Sequence, residues 1–214
     1  MKKPFFLIFL IFLISCAELL QPQEETAVLI HAVLYDGFEL ANADEIVVLV
    51  NISADPVDLS GWQITDNETG TAVLPPETLL QPDEQIWLAK NGTAVSNRFH
   101  HVVDFELKDT HVLVNNLSGV WPTLSDEGDT LVLLNERDRV MDVVVYKDGV
   151  APRAPRGWEG TAVQPSFEEE EGVFLVRTSH EDSNSAQDWV QEVLIESNGV
   201  QVGSPNFAEK PLTK

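Results

Sequence analysis

From Val28 to Arg177 the chain is broken into short apolar runs separated by turn clusters such as Asp36-Gly37, Pro75-Pro76, Asn91-Gly92 and Glu127-Gly128. None of the runs is long enough for a helical bundle. Val-, Ile- and Leu-rich segments at this spacing read as strands. The expected strands are Val28–Tyr35, Glu45–Asn51, Gln63–Thr65, Ala72–Leu74, Glu84–Ala89, Val102–Leu107, His111–Asn115, Thr130–Leu134, Val140–Tyr146 and Val173–Arg177. Only Thr93–Phe99 and Ser185–Val193 read as short helices. Many short strands point to a sandwich or barrel. Leu131–Leu134 turns at Asn135–Asp138 into Val140–Tyr146, and this continuous apolar hairpin predicts strands covered on both faces.

The start is of another kind. Lys2 and Lys3 precede the apolar run Phe5–Ile14, which ends in Ser15-Cys16. A basic segment, a short apolar segment and a small residue before the cut mark an export signal. The run is shorter than the roughly 20 residues a membrane span needs. Leu13-Ile14-Ser15-Cys16 resembles a bacterial lipobox, in which the Cys begins the mature protein and carries the lipid. That resemblance implies a lipoprotein held by acyl chains such as palmitate at Cys16, on the cell membrane or outer membrane and facing away from the cytoplasm. An ordinary signal peptide cut near Cys16-Ala17 is the alternative. Cys16 is the single cysteine, so an apolar core alone must hold the fold; at 43% hydrophobic the chain can build one.

This reading divides the chain into a signal peptide over 1–15, a polar tether over 16–26, one β domain over 27–207 and a tail over 208–214. Within the domain, 147–172 is a long connection with Pro152, Pro155 and Pro165, ending in the solvated run Glu168–Glu171. Loss of residues 1–15 takes two lysines from the 13 basic residues and none from the 35 acidic ones, moving the formal charge from −22 to −24. Such a chain repels nucleic acid and anionic headgroups.

Residues 44–66 carry a family resemblance. Asp44–Asn51 followed by Val57-Asp58-Leu59-Ser60-Gly61-Trp62-Gln63-Ile64-Thr65-Asp66 resembles a lamin tail domain, with Asn51, Asp58, Leu59, Ser60, Gly61, Trp62 and Asp66 as the motif positions. Leu29–Asp36 resembles the family's first strand, and Leu80–Glu84 leading to Ile86-Trp87-Leu88 resembles the next one. Leu124–Leu133 with Asp142–Tyr146 resembles the closing hairpin. Asp182–Trp189 with Gly203–Asn206 resembles the terminal segment. Ala32 and Val48 depart from the pattern, standing where the family often has Glu. The resemblance implies an immunoglobulin-like β-sandwich, here without the usual inter-sheet disulfide, and a non-catalytic interaction or spacer module. Some bacterial members continue into phospholipase D-like or nuclease domains, whose His-x-Lys none of the five histidines here begins.

Other chemistry is sparse, and no cofactor motif appears. His100 and Asp104 on one strand face would lie about 13 Å apart at about 3.3 Å per residue, too far to share a metal without a bend. Asp182, Asn184 and Asp188 have calcium-like spacing, but Gln187 and Val193 stand where a calcium loop requires Gly and Glu; a capping turn is the other reading. Trp121, Trp158 and Trp189 fall in or beside expected loops, where exposed rings would bind a glycan. The sequence thus leaves three functions in view: a tethered binding or structural module, a glycan-binding sandwich, and an accessory subunit of a separate hydrolase. The protein or glycan partner is not legible.

Overall fold

The computed structural model describes residues 27–66, 68–150, 157–164, 171–193, 196–197 and 200–201. The signal segment, Cys16, the tether, most of the glutamate run, residues 203–206 and the tail lie outside the described residues. The first strands are β1 (Val28–Leu34), β2 (Ile46–Asn51), β3 (Val57–Asp58), β4 (Gln63–Thr65), β5 (Thr71–Val73), β6 (Leu79–Leu80) and β7 (Gln85–Ala89). Helix α1 (Gly92–Phe99) follows. The chain continues through β8 (Phe105–Glu106), β9 (Asn115–Asn116), β10 (Ser118–Gly119), β11 (Gly128–Leu134), β12 (Val140–Lys147), β13 (Val173–Arg177), β14 (Trp189–Val193), β15 (Glu196–Ser197) and β16 (Val200–Gln201).

These strands build a sandwich. One sheet has the order β14-β13-β1-β2-β7-β8-β9, the other β10-β5-β4-β11-β12. Ile30, Val33, Val47, Leu49 and Leu88 of the first meet Ile64, Leu131, Leu133, Val143 and Val145 of the second in one core. The Leu131–Tyr146 hairpin forms as expected and is buried through most of its length.

The first sheet is buried on its outer face as well. Val95 and Phe99 of α1, together with Val103 and Val114, lie on Ala32, Leu34, Ile46, Val48, Trp87, Phe174 and Val176. A strand covered on both faces reads as an unbroken apolar run, which accounts for Ile46-Val47-Val48-Leu49-Val50. It also accounts for the two departures from the family pattern: Ala32 and Val48 are cross-strand partners under this cover, where a carboxylate would be buried without a partner. The pairing of β1 with β2 shifts between Ile30 and Ala32. His31 is the inserted residue, and the bulge lets Ile30 and Val33 both face inward.

Three expectations need correction. Ser185–Val193 is not a helix: a single 3-10 turn, Ala186–Asp188, passes directly into β14. Trp189 turns into the core while its neighbour Val190 is exposed, the period-two pattern that pairing with β13 rewards. Val102–Leu107 shortens to β8 and His111–Asn115 to β9. Here side chains replace ladder bonds: Asp104 accepts the Trp87 N–H at 2.9 Å, and Glu106 ties down the loop that follows. The two-residue strands β3, β6, β10, β15 and β16 are too short to show any periodicity in sequence.

Candidate functional site

The family-like motif is a set of backbone pins. Asn51 is fully buried. Its Nδ2 donates to the Asp55 and Leu80 carbonyls at 2.9 and 3.0 Å, and its Oδ1 accepts from the Ser53 N–H and hydroxyl. Asp58 accepts the Ser60 N–H and hydroxyl. Asp66 accepts the N–H groups of Glu68, Thr69 and Gly70 and the Thr69 hydroxyl. Burial alone would raise the Asp66 carboxyl; its donors outweigh that and hold it below the usual range. Between these pins the chain reverses at Gly61, whose φ of 76° suits glycine, while Leu59 and Trp62 enter the core. The motif leaves little that is free to bind a ligand.

The residues with calcium-like spacing surround a protein cation instead. Arg177 on β13 is buried and donates from Nη1 to Asp182 and Asp188, at 3.3 and 3.4 Å. Asp188 closes a capping box with Ser185 and also accepts from Ser183. Asp182 accepts the Asn184 N–H. The calcium reading is therefore replaced by a guanidinium-filled capping turn. The same arginine reaches across the sandwich. Its Nη2 meets both oxygens of Asp142 on β12, at 3.0 and 2.8 Å, and its Nε donates to the Ile30 carbonyl. Asp142 also accepts the Ile30 N–H at 2.7 Å. Burial pushes the Asp142 carboxyl up to about 6, against the opposing pull of Arg177 and the N–H donors.

The three tryptophans expected in loops offer no exposed platform. Trp121, Trp158 and Trp189 are 4%, 9% and 5% exposed and belong to the main core. Trp158 donates to the Thr161 carbonyl, and Arg177 lies over the Trp189 ring. As glycan contacts these residues are a correction: the segments carrying Trp121 and Trp158 fold back over the sandwich, and Trp189 starts β14 with its ring turned into the core. His100 takes the left-handed C-cap of α1, and the His101 ring lies tilted against Trp87; the described residues hold no group of three or more His, Cys, Asp or Glu placed to bind a metal.

The features that sequence reasoning missed lie at one end of the sandwich. Leu34, Ile46, Ala89 and Glu106 stand in register across the first sheet, and the loops beyond them share that end. Loop 36–44 is held by buried Asp44, which accepts the Phe38 and Glu39 N–H groups. Gly37 permits this approach, since a Cβ there would stand 2.1 Å from Asp44 Oδ1. Loop 107–114 is held by buried Glu106, which accepts the Gly92, Thr110 and His111 N–H groups. Between the loops, Lys90 donates to the Ala41 carbonyl and pairs with Glu45 at 3.0 Å. A buried carboxylate under an exposed loop leaves no periodic trace, which is why the sequence did not disclose it.

Glu45 gives this end a pH response. Burial raises its carboxyl to about 8 despite Lys90; the Trp121 indole N–H turns toward it but falls short of hydrogen-bond geometry. The unfolded chain releases this proton near pH 4.5 and the folded one near 8, so Glu45 lowers stability as pH rises between those values, by at most about 1.4 kcal/mol per pH unit. Glu45→Gln should therefore gain stability relative to the parent between pH 5 and 8.5. Urea melts of both proteins at the two pH values check this; a constant difference contradicts the assignment.

The Lamin Tail Domain family model matches residues 21–148. No curated protein matches the chain. Among solved structures, a DUF4876 family protein from Bacteroides thetaiotaomicron is similar, with 13% identity and a TM-score of 0.55, covering 86% of this chain and 75% of that one. That likeness concerns the fold. With the β-sandwich and the pinned Asn51–Asp66 motif in place, the family match over more than half the chain shows that it belongs to the lamin tail domain family.

Proposed function

We propose that this lamin tail domain is a surface lipoprotein, anchored through Cys16 and acting as a non-catalytic interaction module outside the cytoplasm. The observation that carries the anchor is Leu13-Ile14-Ser15-Cys16 closing an apolar run behind two lysines. Acyl chains contribute about 0.8 kcal/mol per buried CH₂, so more than one chain gives a lasting anchor. The absence of catalysis is supported by how the polar residues are engaged. The motif side chains bind backbone groups, and the most buried acid cluster surrounds Arg177. A charge of −24 after signal removal opposes nucleic-acid binding.

Two measurements test this. Cys16→Ser should move the chain from the membrane to the soluble fraction; unchanged retention removes the anchor from the account. The purified protein should not turn over phosphodiester, ester, peptide or glycoside substrates. Turnover abolished by a single substitution would show an enzyme.

A further inference from the structure

The four most exposed large apolar residues among those described are Val112, Leu40, Val150 and Leu113, at 97%, 93%, 82% and 79%. All four lie at the braced end of the sandwich. Leu40 tops loop 36–44, and Val112-Leu113 tops loop 107–114. Val150 follows β12, where its carbonyl accepts the Thr130 hydroxyl. The Asn42 side chain joins loop 36–44 to Asp126 at 2.8 Å, and the Asp148 N–H bonds the Glu127 carbonyl, so the loops of both sheets meet there. Ala27, the first described residue, is at the other end: its carbonyl accepts from Ile52, just beyond β2.

Among the described residues, the charge around these tips is one-sided. Glu39, Asp109, Asp126, Glu127, Asp148 and Glu171 are exposed here. Of the nearby cations, Lys108 is exposed, whereas others are turned toward partners within the chain. Lys90 is on Glu45, Lys147 on the Asp126 carbonyl, and Arg98 over the Phe38 ring. The loops beneath are fixed by Asp44 and Glu106, so little ordering entropy opposes docking.

We propose that this end, opposite Ala27, docks a protein partner that presents an apolar patch ringed by Lys and Arg. A second copy of this chain would set the same acids against each other, and anionic lipid would be repelled in the same way. An apolar centre with a charged rim is the anatomy of a transient protein interface. The proposal rests on the interaction-module reading and gives that module its binding face.

The test uses the full chain and a fluorescent synthetic peptide of alternating Lys and Leu. Leu40→Ser/Val112→Ser/Leu113→Ser and, separately, Glu127→Lys/Asp148→Lys should each weaken binding at least tenfold. The control Leu79→Ser/Val190→Ser, on exposed apolar residues away from this end, should change it less than twofold. Melts verify folding, and Val112→Ser alone replaces the triple variant if that one melts early. Equal losses in rim and control variants overturn the site, as does an affinity indifferent to the charge reversal. Rim-dependent self-association in sedimentation, or rim-dependent binding to phosphatidylcholine or phosphatidylglycerol vesicles, overturns the choice of partner. Substrate turnover would overturn the module reading itself, whatever the peptide does.

Discussion

Asp142→Ala should bring the domain close to unfolding. The carboxylate is fully buried and joins three strands, accepting the Ile30 N–H of β1 and both Nη2 contacts from Arg177 of β13 while itself standing on β12. It thereby ties the two sheets together at the bulge, where the ladder leaves Ile30 free to bond elsewhere. Removing it leaves the Arg177 Nη2 and the Ile30 N–H buried without a partner. Breaking one side of such a pair costs about 3–5 kcal/mol, against a typical total stability of about 5–15 kcal/mol. In a chain with one cysteine this pair ties the sheets without a disulfide. Urea midpoints of the parent, Asp142→Ala and Asp142→Leu/Arg177→Met check it. The double variant should recover only part of the loss: it removes the unpaired Nη2, but Asp182 and Asp188 then lose their cation. A single-variant cost below about 1 kcal/mol would show that the pair does not hold the sheets.

The second large effect belongs to Trp62. Its ring is 5% exposed and packs in the core with Leu59, Ile64 and Leu133. Its N–H bonds the Leu59 carbonyl at 3.0 Å and its carbonyl accepts from Leu74, so the turn and the core are fixed together. Trp62→Ala should cost about 3–5 kcal/mol, the range for large buried truncations. A denaturant melt alongside peptide binding separates the readings. Early melting is the expected result, and a normal melt with lost binding would make Trp62 a contact residue.

The sequence discloses what repeats or what has a turn chemistry of its own. The core strands were legible because Val, Ile and Leu cluster between Gly, Pro, Asn and Asp. The Asp58–Trp62 turn was legible because Gly61 and its neighbours have one economical conformation. What stayed hidden depends on side chains meeting from distant positions. Arg177 reads as the end of a strand and Asp142 as an interruption in an apolar one; only folding brings them to 2.8 Å. The same distance in sequence concealed the burial of Trp121, Trp158 and Trp189, and made the Arg177-filled capping turn resemble a cation loop. Ala32 and Val48 looked like losses of polar pairing until α1 was placed over them. The braced loop end escaped notice because Asp44 and Glu106 sit in runs where a carboxylate reads as a surface residue.

The most direct test of the account is the intact mass of the chain extracted from the membrane fraction of its source cell. The expected species begins at Cys16 and carries acyl groups, which alkaline hydrolysis of the ester-linked chains reduces in mass. An unmodified species beginning at Ala17, or an uncut chain in the soluble fraction, would contradict a tethered module.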